Sequence, residues 1–312
     1  MQEKEQHIGV DILMATYNGE KYIENQLLSL LQQTFKNWRL LIHDDGSVDK
    51  TVEIIKKYLK IDKRIFYIED EEHNQGAGKN FWGLLKHANA TYVMFCDQDD
   101  LWFEKKVEKL VNVAENSFDN DKPSLVYCDA YAYSEKNGEI LSNSVSHFHA
   151  RELNEFLFFN SGYQGCSMLF NRALLEIAKR YEGTIFLHDD VISLMAHSFG
   201  TVYFLPKSLM FYRQHNENVT GGTNLSFFDI MKSFFRKNSF VLSRRHYEEK
   251  REFFLQYSDD LNATNRTLFK EYLRYPSLSV LSRVLLILAN NFSLGGYHLP
   301  LIVKTVMRRP LE

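Results

Sequence analysis

Short apolar runs alternate with stretches of helical periodicity in the first part of the chain. The apolar runs predict buried strands and span residues 10–16, 38–43, 65–68 and 92–96. Between the first two runs, apolar residues recur at helical spacing after Asn18, which is placed to cap that helix. Strands separated by helices in this way predict a mostly parallel sheet with helices packed on its faces.

The rest of the chain has a mixed pattern. Helices are predicted at residues 103–115 and 172–181, and strands at residues 124–133, 164–170, 201–205 and 209–213. Asn137-Gly138 predicts a hairpin. After Leu225 the pattern is almost entirely helical, with breaks at Pro276, Gly295-Gly296 and Pro300. The sequence therefore predicts an α/β domain over residues 1–224 and a helical region over residues 225–312.

Composition narrows the class of protein. The 312 residues have ordinary apolar and charged fractions, which excludes a disordered or fibrous chain. Cys96, Cys128 and Cys166 have no metal-type or disulfide spacing, so each is expected to be a small buried residue in a reducing compartment. The polar first residues contain no secretory signal, and no apolar run is long enough to span a membrane. A cytoplasmic protein is expected, with no nucleic acid as partner.

Three acidic clusters lie where predicted elements begin or end. They are Asp44-Asp45, Asp97-Gln98-Asp99-Asp100 and Asp189-Asp190. Ligands of an open parallel sheet bind at the carboxyl ends of its strands, where grouped carboxylates are costly unless they meet a cation or hydrogen-bond donors. Carboxylate oxygens suit Mg²⁺ or Mn²⁺, and these ions also bind phosphate oxygens. The clusters therefore predict a site for a metal and a diphosphate.

Each cluster also has a purely structural explanation. Asp99 and Asp100 are suited to cap the helix that follows them, and Asp190 is suited to stabilise a helix N-terminus. The segment DDGS is a common turn sequence, although a carboxylate there can accept a hydrogen bond from the imide of a pyrimidine base. The order of the clusters along the chain and their placement at strand ends favour a binding site.

Five segments, taken in order, resemble the inverting family-two glycosyltransferases of the GT-A fold. They are VDILMATYNGEKYIENQLLSLLQQTF, LLIHDDGSVDKT, NQGAGKN, YVMFCDQDDLW and HDD, within roughly residues 8–222. CDQDDLW, GCSMLFNRALL and YRQHNENVTG resemble the bacterial rhamnosyltransferase branch, which builds cell-wall and capsular polysaccharides from dTDP-L-rhamnose. The resemblance implies an α/β GT-A fold, with a mostly parallel sheet flanked by helices, followed here by a C-terminal helical extension.

The resemblance implies a site for the nucleotide-sugar donor. Tyr17 matches the position that packs on the pyrimidine base, and an aromatic lid on the core is the alternative. Asp45 matches the carboxylate that binds the base imide, and Asp97 matches the carboxylate near the ribose. Lys79 matches a basic residue near the base, or is a solvated lysine. Arg213 is a candidate to neutralise the leaving diphosphate.

The resemblance also implies metal-binding and catalytic residues. Asp99 matches the metal-binding carboxylate, and His215 matches a histidine that reaches the metal or the diphosphate in several relatives, unless it is structural. The HDD segment matches the acidic pair that supplies the general base, with His188 in an orienting role. We assign the base to Asp190, which opens a helical stretch, or to Asp189 if the register is shifted by one residue. Such a base contributes about 10²–10⁴ in rate.

These assignments predict transfer of a sugar in one displacement. The base removes the acceptor proton, and the acceptor oxygen attacks the anomeric carbon opposite the nucleoside diphosphate, so the configuration inverts. The predicted donor is dTDP-L-rhamnose, and a UDP-sugar of glucose, galactose or N-acetylhexosamine is the alternative. The predicted acceptor is a hydroxyl of a polysaccharide or a lipid-linked glycan. A sugar nucleotidyltransferase is disfavoured because YNGEKY lacks a Gly-rich basic phosphate loop, and an inactive partner subunit because the acidic residues are intact.

The C-terminal region is both basic and apolar. From Leu225 onward it carries 14 Lys and Arg against 8 Asp and Glu, whereas the preceding residues carry 23 against 32. Its basic residues, among them Arg274, Arg283 and Lys304, are interleaved with apolar ones. One hypothesis places these helices on the anionic inner face of the plasma membrane, where a lipid-linked acceptor is presented. The alternative is that they pack on the catalytic domain or on a second subunit of a homodimer.

Overall fold

A computed structural model describes residues 9–70, 73–160, 162–214 and 239–312. Its main sheet has the strand order β3-β2-β1-β4-β8-β6-β9-β5, with β7 paired to β6. The strands are β1 (Val10–Thr16), β2 (Trp38–Asp44), β3 (Ile65–Tyr67), β4 (Tyr92–Cys96), β5 (Leu101–Trp102), β6 (Ser124–Ser134), β7 (Glu139–Ser142), β8 (Met168–Asn171) and β9 (Thr201–Gln214). The first four strands are parallel to one another, β6 is parallel to β9, and β8 runs antiparallel between β4 and β6.

Helices cover both faces of this sheet. They are α1 (Ile23–Leu31), α2 (Thr51–Ile61), α3 (Ala77–Leu84), α4 (Lys106–Ser117), α5 (Leu153–Phe156), α6 (Arg172–Ala178) and α7 (His188–Phe199). Successive residues of a strand point to opposite faces, so in β1 Ile12 and Met14 pack with α1 and α4 while Leu13 packs with α3 and α7. This double burial explains why the central strands are continuous apolar runs. The predicted α/β architecture is confirmed.

In its described residues, 239–312, the C-terminal region adds four helices and a small two-stranded sheet. Its elements are β10 (Phe240–Leu242), α8 (Arg244–Tyr257), α9 (Ala263–Arg274), α10 (Val280–Ala289), α11 (His298–Met307) and β11 (Arg309–Leu311). β10 and β11 are parallel. Phe253 of α8 and Phe269 of α9 belong to the same core cluster as Leu13 of β1 and Phe95 of β4. The predicted helical extension is present, and it shares the core of the sheet. The predicted boundary at residue 224 falls outside the described residues.

Several local predictions differ from the structure. The strand expected at residues 164–170 starts only at Met168, because Gly165–Ser167 form a 3₁₀ turn. The strands expected at residues 201–205 and 209–213 form one strand, β9, whose register against β6 shifts between Leu205 and Ser208. Pro206 has no N–H to donate, and a bulge accommodates it without ending the strand. Asn18 does not cap α1; it has a positive φ of 46°, and its side chain accepts the Val48 amide at 2.9 Å. The short strand β5 was not predicted.

Candidate active site

The carboxyl ends of β1, β2 and β4 form one edge of the sheet. The register pairs Thr16 with Asp44, and Met14 with Cys96, so the first two acidic clusters follow strands that end side by side. The third cluster lies in the first turn of α7, which packs against α3 beside the same sheet. The fold therefore brings together three clusters that are far apart in the sequence.

The two carboxylates that end β2 have different partners. Asp44 accepts hydrogen bonds from the hydroxyls of Thr16 at 2.7 Å and Ser47 at 2.6 Å, and from the Ser47 amide at 2.7 Å. Asp45 instead accepts the amides of Gln75 at 2.9 Å and Gly76 at 2.8 Å. Asp44 thus stabilises its own turn, while Asp45 ties β2 to the loop that begins α3.

Tyr17 and Lys79, two further residues of the predicted site for the nucleotide-sugar donor, have different surroundings. Tyr17 is half exposed, and its backbone exchanges two hydrogen bonds with the Gln98 side chain, at 3.1 Å and 2.9 Å. This pairing joins the end of β1 to the DQDD segment. Lys79 is exposed on α3 and lines a small cavity with His43 and Gln75.

The DQDD segment is partly buried and carries three carboxyl groups. Asp97, Asp100 and Cys166 each offer one possible metal-ligand atom, and these three atoms lie within 4.8 Å of one another. Burial, together with the charge of Asp99, raises the pKa of Asp97 to about 6. Burial and both neighbouring carboxylates also raise the pKa of Asp100 well above its usual range. Burial and the charges of Asp100 and Asp97 raise the pKa of the Cys166 thiol. Cys166 therefore stays protonated and can donate a hydrogen bond to these two carboxylates.

Two buried cations support this acidic segment. The ammonium of Lys106 donates to the Cys166 carbonyl at 2.6 Å and lies 3.6 Å from the centroid of the Trp102 ring. Its charge lowers the pKa of Asp97 and Asp100 and so opposes the effect of burial. Arg213 donates from Nε to the Asp99 carbonyl at 2.7 Å and pairs with Glu135 at 2.9 Å. Arg213 is buried and braces the segment, so its predicted contact with a diphosphate stays a prediction.

The residues of this segment fit a hard divalent cation. Asp97 and Asp99 are partly exposed and offer carboxylate oxygens, the donors that Mg²⁺ and Mn²⁺ prefer. Asp100 is almost fully buried, and among the described residues its Oδ2 has no hydrogen-bond partner. Cys166 completes the grouping geometrically, but a soft, protonated thiol is a poor ligand for either ion. The carboxylates are therefore the plausible ligands, and Asp99 remains the predicted one.

The acidic pair of α7 has two distinct environments. Asp190 is buried, with one oxygen accepting the Gly162 amide and the other lying 3.0 Å from Nε2 of His246. Burial opposes its ionisation, but the hydrogen bond and charge of His246 outweigh burial, and the pKa of Asp190 is lowered. Asp189 is more exposed and receives the Gly165 amide at 3.3 Å. Burial and the charges of Asp190 and Asp97 raise the pKa of Asp189 well above its usual range.

The histidine of HDD is not an orienting residue. The His188 ring lies 4.0 Å from the Phe81 ring and 4.4 Å from the Phe95 ring, measured between centroids. Within the described part of the chain neither ring nitrogen has a hydrogen-bond partner, and burial lowers the pKa of His188 to about 3. His188 is therefore a neutral aromatic core residue. His215 lies outside the described residues, and its metal-binding role stays a prediction.

Three residues of the site were missed by the sequence analysis. Lys106 occupies an apolar position of the helical pattern at 103–115, and this mismatch was an available signal of a buried charge. Cys166 carried no such signal, because a lone cysteine is usually a small core residue. His246 lies 56 residues after Asp190, and no spacing rule links a helix this distant to the acidic pair.

Comparison with known proteins gives the family and the fold. The family model described as glycosyl transferase family 2 matches residues 11–177, more than half of the chain. A dTDP-rhamnosyl transferase, RfbG of Shigella flexneri, is 28% identical over 282 residues, covering 83% of this chain and 89% of the relative.

Solved structures of other glycosyltransferases share the architecture. TarS 1-349 of S. aureus, in complex with UDP-GlcNAc, superposes with a TM-score of 0.55 at 16% identity, covering 95% of this chain and 89% of that one. The mannosyltransferase PcManGT of Pyrobaculum calidifontis, in complex with GDP-Man and Mn²⁺, has a TM-score of 0.52 at 13% identity, with 96% and 84% covered. The predicted GT-A fold is confirmed. By its sequence from β1 to α6, the chain belongs to glycosyl transferase family 2 and is a glycosyltransferase.

Proposed function

We propose that this glycosyltransferase moves a sugar from a nucleoside diphosphate to an acceptor hydroxyl with inversion, and that Asp189 is the general base. The observation that carries this proposal is the grouping of Asp189 with the DQDD segment. The Gly165 amide donates to Oδ2 of Asp189 at 3.3 Å, and the next residue, Cys166, has its sulfur within 4.8 Å of carboxylate oxygens of Asp97 and Asp100. Burial and then the nearby carboxylates, Asp97 among them, raise the pKa of Asp189. A carboxylate that accepts a proton therefore lies beside carboxylates that suit a metal diphosphate, as a single displacement requires.

Asp189 is better suited to this role than Asp190, to which we first assigned it. Both oxygens of Asp190 are engaged, one by Gly162 and one by His246, and its pKa is lowered, which makes it a weaker proton acceptor. Among the described residues, the hydrogen bonds to the Asp189 side chain come only from backbone amides. Burial and the neighbouring carboxylates raise the pKa of Asp189, which makes it the stronger proton acceptor of the pair.

Each of these residues has a separate proposed role in the displacement reaction. Asp189 accepts the proton of the acceptor hydroxyl as the oxygen forms its bond to the anomeric carbon. The bond from that carbon to the diphosphate oxygen breaks on the opposite face. A divalent cation held by Asp99 and Asp97 would stabilise the negative charge on the leaving diphosphate. Asp45 and Tyr17 lie at the ends of β2 and β1, where we propose that the base of the donor binds.

The proposed donor is dTDP-L-rhamnose. Its support is the relative named as a dTDP-rhamnosyl transferase and the resemblance of CDQDDLW, GCSMLFNRALL and YRQHNENVTG to the rhamnosyltransferase branch. The two solved relatives bind UDP-GlcNAc and GDP-Man, so a UDP-sugar is the main alternative. We propose a polysaccharide or a lipid-linked glycan as acceptor.

A ligand screen identifies the donor. The unfolding temperature is measured with dTDP-L-rhamnose, UDP-glucose, UDP-GlcNAc and GDP-mannose, each with and without Mn²⁺. A ligand that binds only the folded state at about 100 times its Kd stabilises it by about 2.7 kcal/mol. We expect the largest shift with dTDP-L-rhamnose and Mn²⁺. A larger shift with a UDP-sugar overturns the rhamnose assignment, and no shift with any donor overturns the proposed function.

The choice of base is tested by a pair of variants. Asp189→Asn should retain donor binding and lose about 10²–10⁴ in kcat. Asp190→Asn keeps an acceptor oxygen for the Gly162 amide and should lose much less. Rates of nucleotide release and calorimetric affinities for the nucleoside diphosphate are measured for both. The reverse order of the two kcat values would restore Asp190 as the base.

We also propose that α10 and α11 lie on an anionic membrane surface, at the inner face of the plasma membrane. Leu281, Leu285 and Leu288 recur on one side of α10 and are more than half exposed, as are Leu299 and Val306 of α11. No helix in the described ranges is both long and apolar enough to cross a bilayer. Exposed apolar residues on one side of a helix are typical of helices that lie in the plane of the membrane surface.

Fewer basic side chains are available beside this apolar face than the sequence indicated. Arg309 is exposed directly after α11. Arg283 is buried and donates to the carbonyls of Tyr275 at 3.1 Å and Pro276 at 3.2 Å, which removes it from any contact with lipid headgroups. A second copy of the chain is the alternative occupant of the same face.

Vesicle co-sedimentation separates these occupants. The full chain is compared with Leu285→Glu, and with Leu255→Glu as a control at an exposed position of α8. We expect binding to phosphatidylglycerol vesicles that Leu285→Glu weakens and Leu255→Glu does not. Sedimentation velocity shows whether the wild type is a dimer that Leu285→Glu dissociates, which would assign the face to a second copy.

A further inference from the structure

The C-terminal helix α8 reaches the acidic pair of α7. His246, in the first turn of α8, lies 3.0 Å through Nε2 from Oδ2 of Asp190. The two side chains are only 14% and 4% exposed. The other oxygen of Asp190 accepts the Gly162 amide. Asp190 is therefore held from two sides, by a helix of the C-terminal region and by the backbone near Gly162.

The same C-terminal region fixes the backbone near Gly162. Lys250 of α8 donates to the Phe159 carbonyl at 2.6 Å. The Asn160 side chain donates to the Val241 carbonyl at 3.0 Å and accepts the Ser243 amide at 3.3 Å. Three contacts with β10 and α8 thus hold the residues that precede Gly162.

This backbone in turn packs directly on Asp189. A Cβ on Gly162 would lie 2.6 Å from the Asp189 carbonyl oxygen, so the two backbones are in close contact. A few residues on, the Gly165 amide donates to Oδ2 of Asp189 at 3.3 Å. A continuous series of contacts therefore runs from His246 through Asp190 and Gly162 to Asp189.

Charge favours the same arrangement. Buried carboxylates are costly without partners, and among the described residues His246 is the side chain that hydrogen-bonds to Asp190. Lys250 adds a second favourable charge to Asp190, while Glu249 is a buried like charge nearby. Without His246, Asp190 would keep the charge of Lys250 nearby, but among the described residues the Gly162 amide would be its one remaining hydrogen-bond donor. The carboxyl would then be expected to move or to take up a proton.

We propose that His246 is a positioning residue for the catalytic base: it fixes Asp190, and through Gly162 it fixes the backbone against which Asp189 lies. This inference rests on the proposed function. It makes the C-terminal region part of the catalytic centre, in addition to any contact with a membrane. His246 itself touches neither substrate nor reacting atoms in this scheme, so its loss should reduce kcat and leave donor binding intact.

Three variants of the full chain test the inference. His246→Leu removes the donor, His246→Gln keeps an amide N–H that can reach Asp190, and Arg251→Leu is the control at an exposed position of α8. We expect His246→Leu to lower kcat by about 10–100-fold with an unchanged KM for the donor, as a small misplacement of a catalytic group does. His246→Gln should recover most of that loss, and Arg251→Leu should match the wild type.

Hydrogen exchange at the Gly162 amide gives a readout that needs no activity. We expect faster exchange in His246→Leu than in the wild type, with wild-type protection in His246→Gln. An unchanged kcat in His246→Leu overturns the inference, and so does an equal loss in both histidine variants with unchanged exchange at Gly162. A wild type that transfers no sugar from any donor overturns the proposed function instead. The exchange measurement then still decides whether His246 fixes this backbone.

Discussion

At the scale of single residues, burial keeps two histidines uncharged and gives them a structural role. His188 and His197 both lie in the core, and burial lowers the pKa of each to about 3. The His197 ring lies 2.9 Å from the Tyr163 hydroxyl, whereas the His188 ring packs on Phe81 and Phe95 and has no hydrogen-bond partner among the described residues. Neither imidazole is suited to exchange protons near neutral pH. They matter for the pH dependence of stability instead.

One prediction concerns the pH dependence of the free energy of unfolding. The pKa of an unfolded histidine is about 6.5, so between roughly pH 6.5 and pH 3 the unfolded chain binds more protons at His188 than the folded chain does. The contribution of each such histidine to the free energy of unfolding should therefore fall as pH falls below 6.5, by up to about 1.4 kcal/mol per pH unit. His188→Leu should make this slope shallower.

Denaturant unfolding of both proteins between pH 7 and pH 5 measures the slopes. Partly buried Asp97, whose pKa is raised to about 6, acts in the opposite sense because its protonated form is favoured in the folded chain. That contribution is present in the wild type and in the variant, so it cancels in the difference between their slopes. Equal slopes would show that His188 is protonated in the folded protein.

The acidic pair illustrates what the sequence could not resolve at this scale. Successive residues of a helix point about 100° apart, so Asp189 and Asp190 must face different surroundings once the helix has formed. Which one faces the DQDD segment depends on where α7 begins and how it packs, and neither was readable from HDD alone. The presence of an acidic pair was predictable, whereas the assignment of the base was not.

At the scale of elements, α3 is in close backbone contact with the residues just before α7. A Cβ on Gly78 would lie 2.3 Å from the carbonyl oxygen of Phe186, two residues before α7 begins. The two backbones therefore touch at Gly78. Gly83 lies on the same helix, and no atom of the described residues is within 4 Å of where its Cβ would be.

These two glycines give a matched prediction. Gly78→Ala should destabilise the protein by about 1–3 kcal/mol, because the extra methyl group meets backbone that cannot move aside easily. Gly83→Ala should stabilise it by about 0.5–1 kcal/mol, because alanine loses less conformational entropy in a helix and meets no obstacle. Denaturant midpoints measure both changes. Similar changes in the two variants would contradict the close contact between α3 and the start of α7.

The elements of the first half were predictable because local pattern and tertiary role agree there. β1, β2 and β4 are apolar on both faces, and the fold buries both faces. The prediction failed where tertiary contacts override local signals. Pro206 suggested a break between two strands, but pairing with β6 on either side of a bulge keeps β9 continuous. The two-residue strand β5 exists only through its pairing with β9.

At the scale of the whole molecule, the C-terminal helices share the core that covers one face of the sheet. Phe253 of α8 is fully buried and contacts Phe199 of α7 and Phe269 of α9, with ring centroids 5.9 Å and 5.5 Å apart. The C-terminal helices and the sheet are joined by such contacts and by the His246–Asp190 pair. The sequence suggested a separate region because its composition changes after Leu225, and composition does not report how two segments pack.

A shared core predicts one cooperative unfolding transition. Phe253→Ala should destabilise the whole protein by about 3–5 kcal/mol, since it opens a cavity between the C-terminal helices and α7. Leu255→Ala, at a position of the same helix that is 66% exposed, should change stability by no more than about 0.5 kcal/mol. Calorimetry should show a single transition that shifts as a whole in Phe253→Ala. Two transitions, of which only one shifts, would mean that the C-terminal helices unfold independently, and His246 would then be too loosely held to position the catalytic pair.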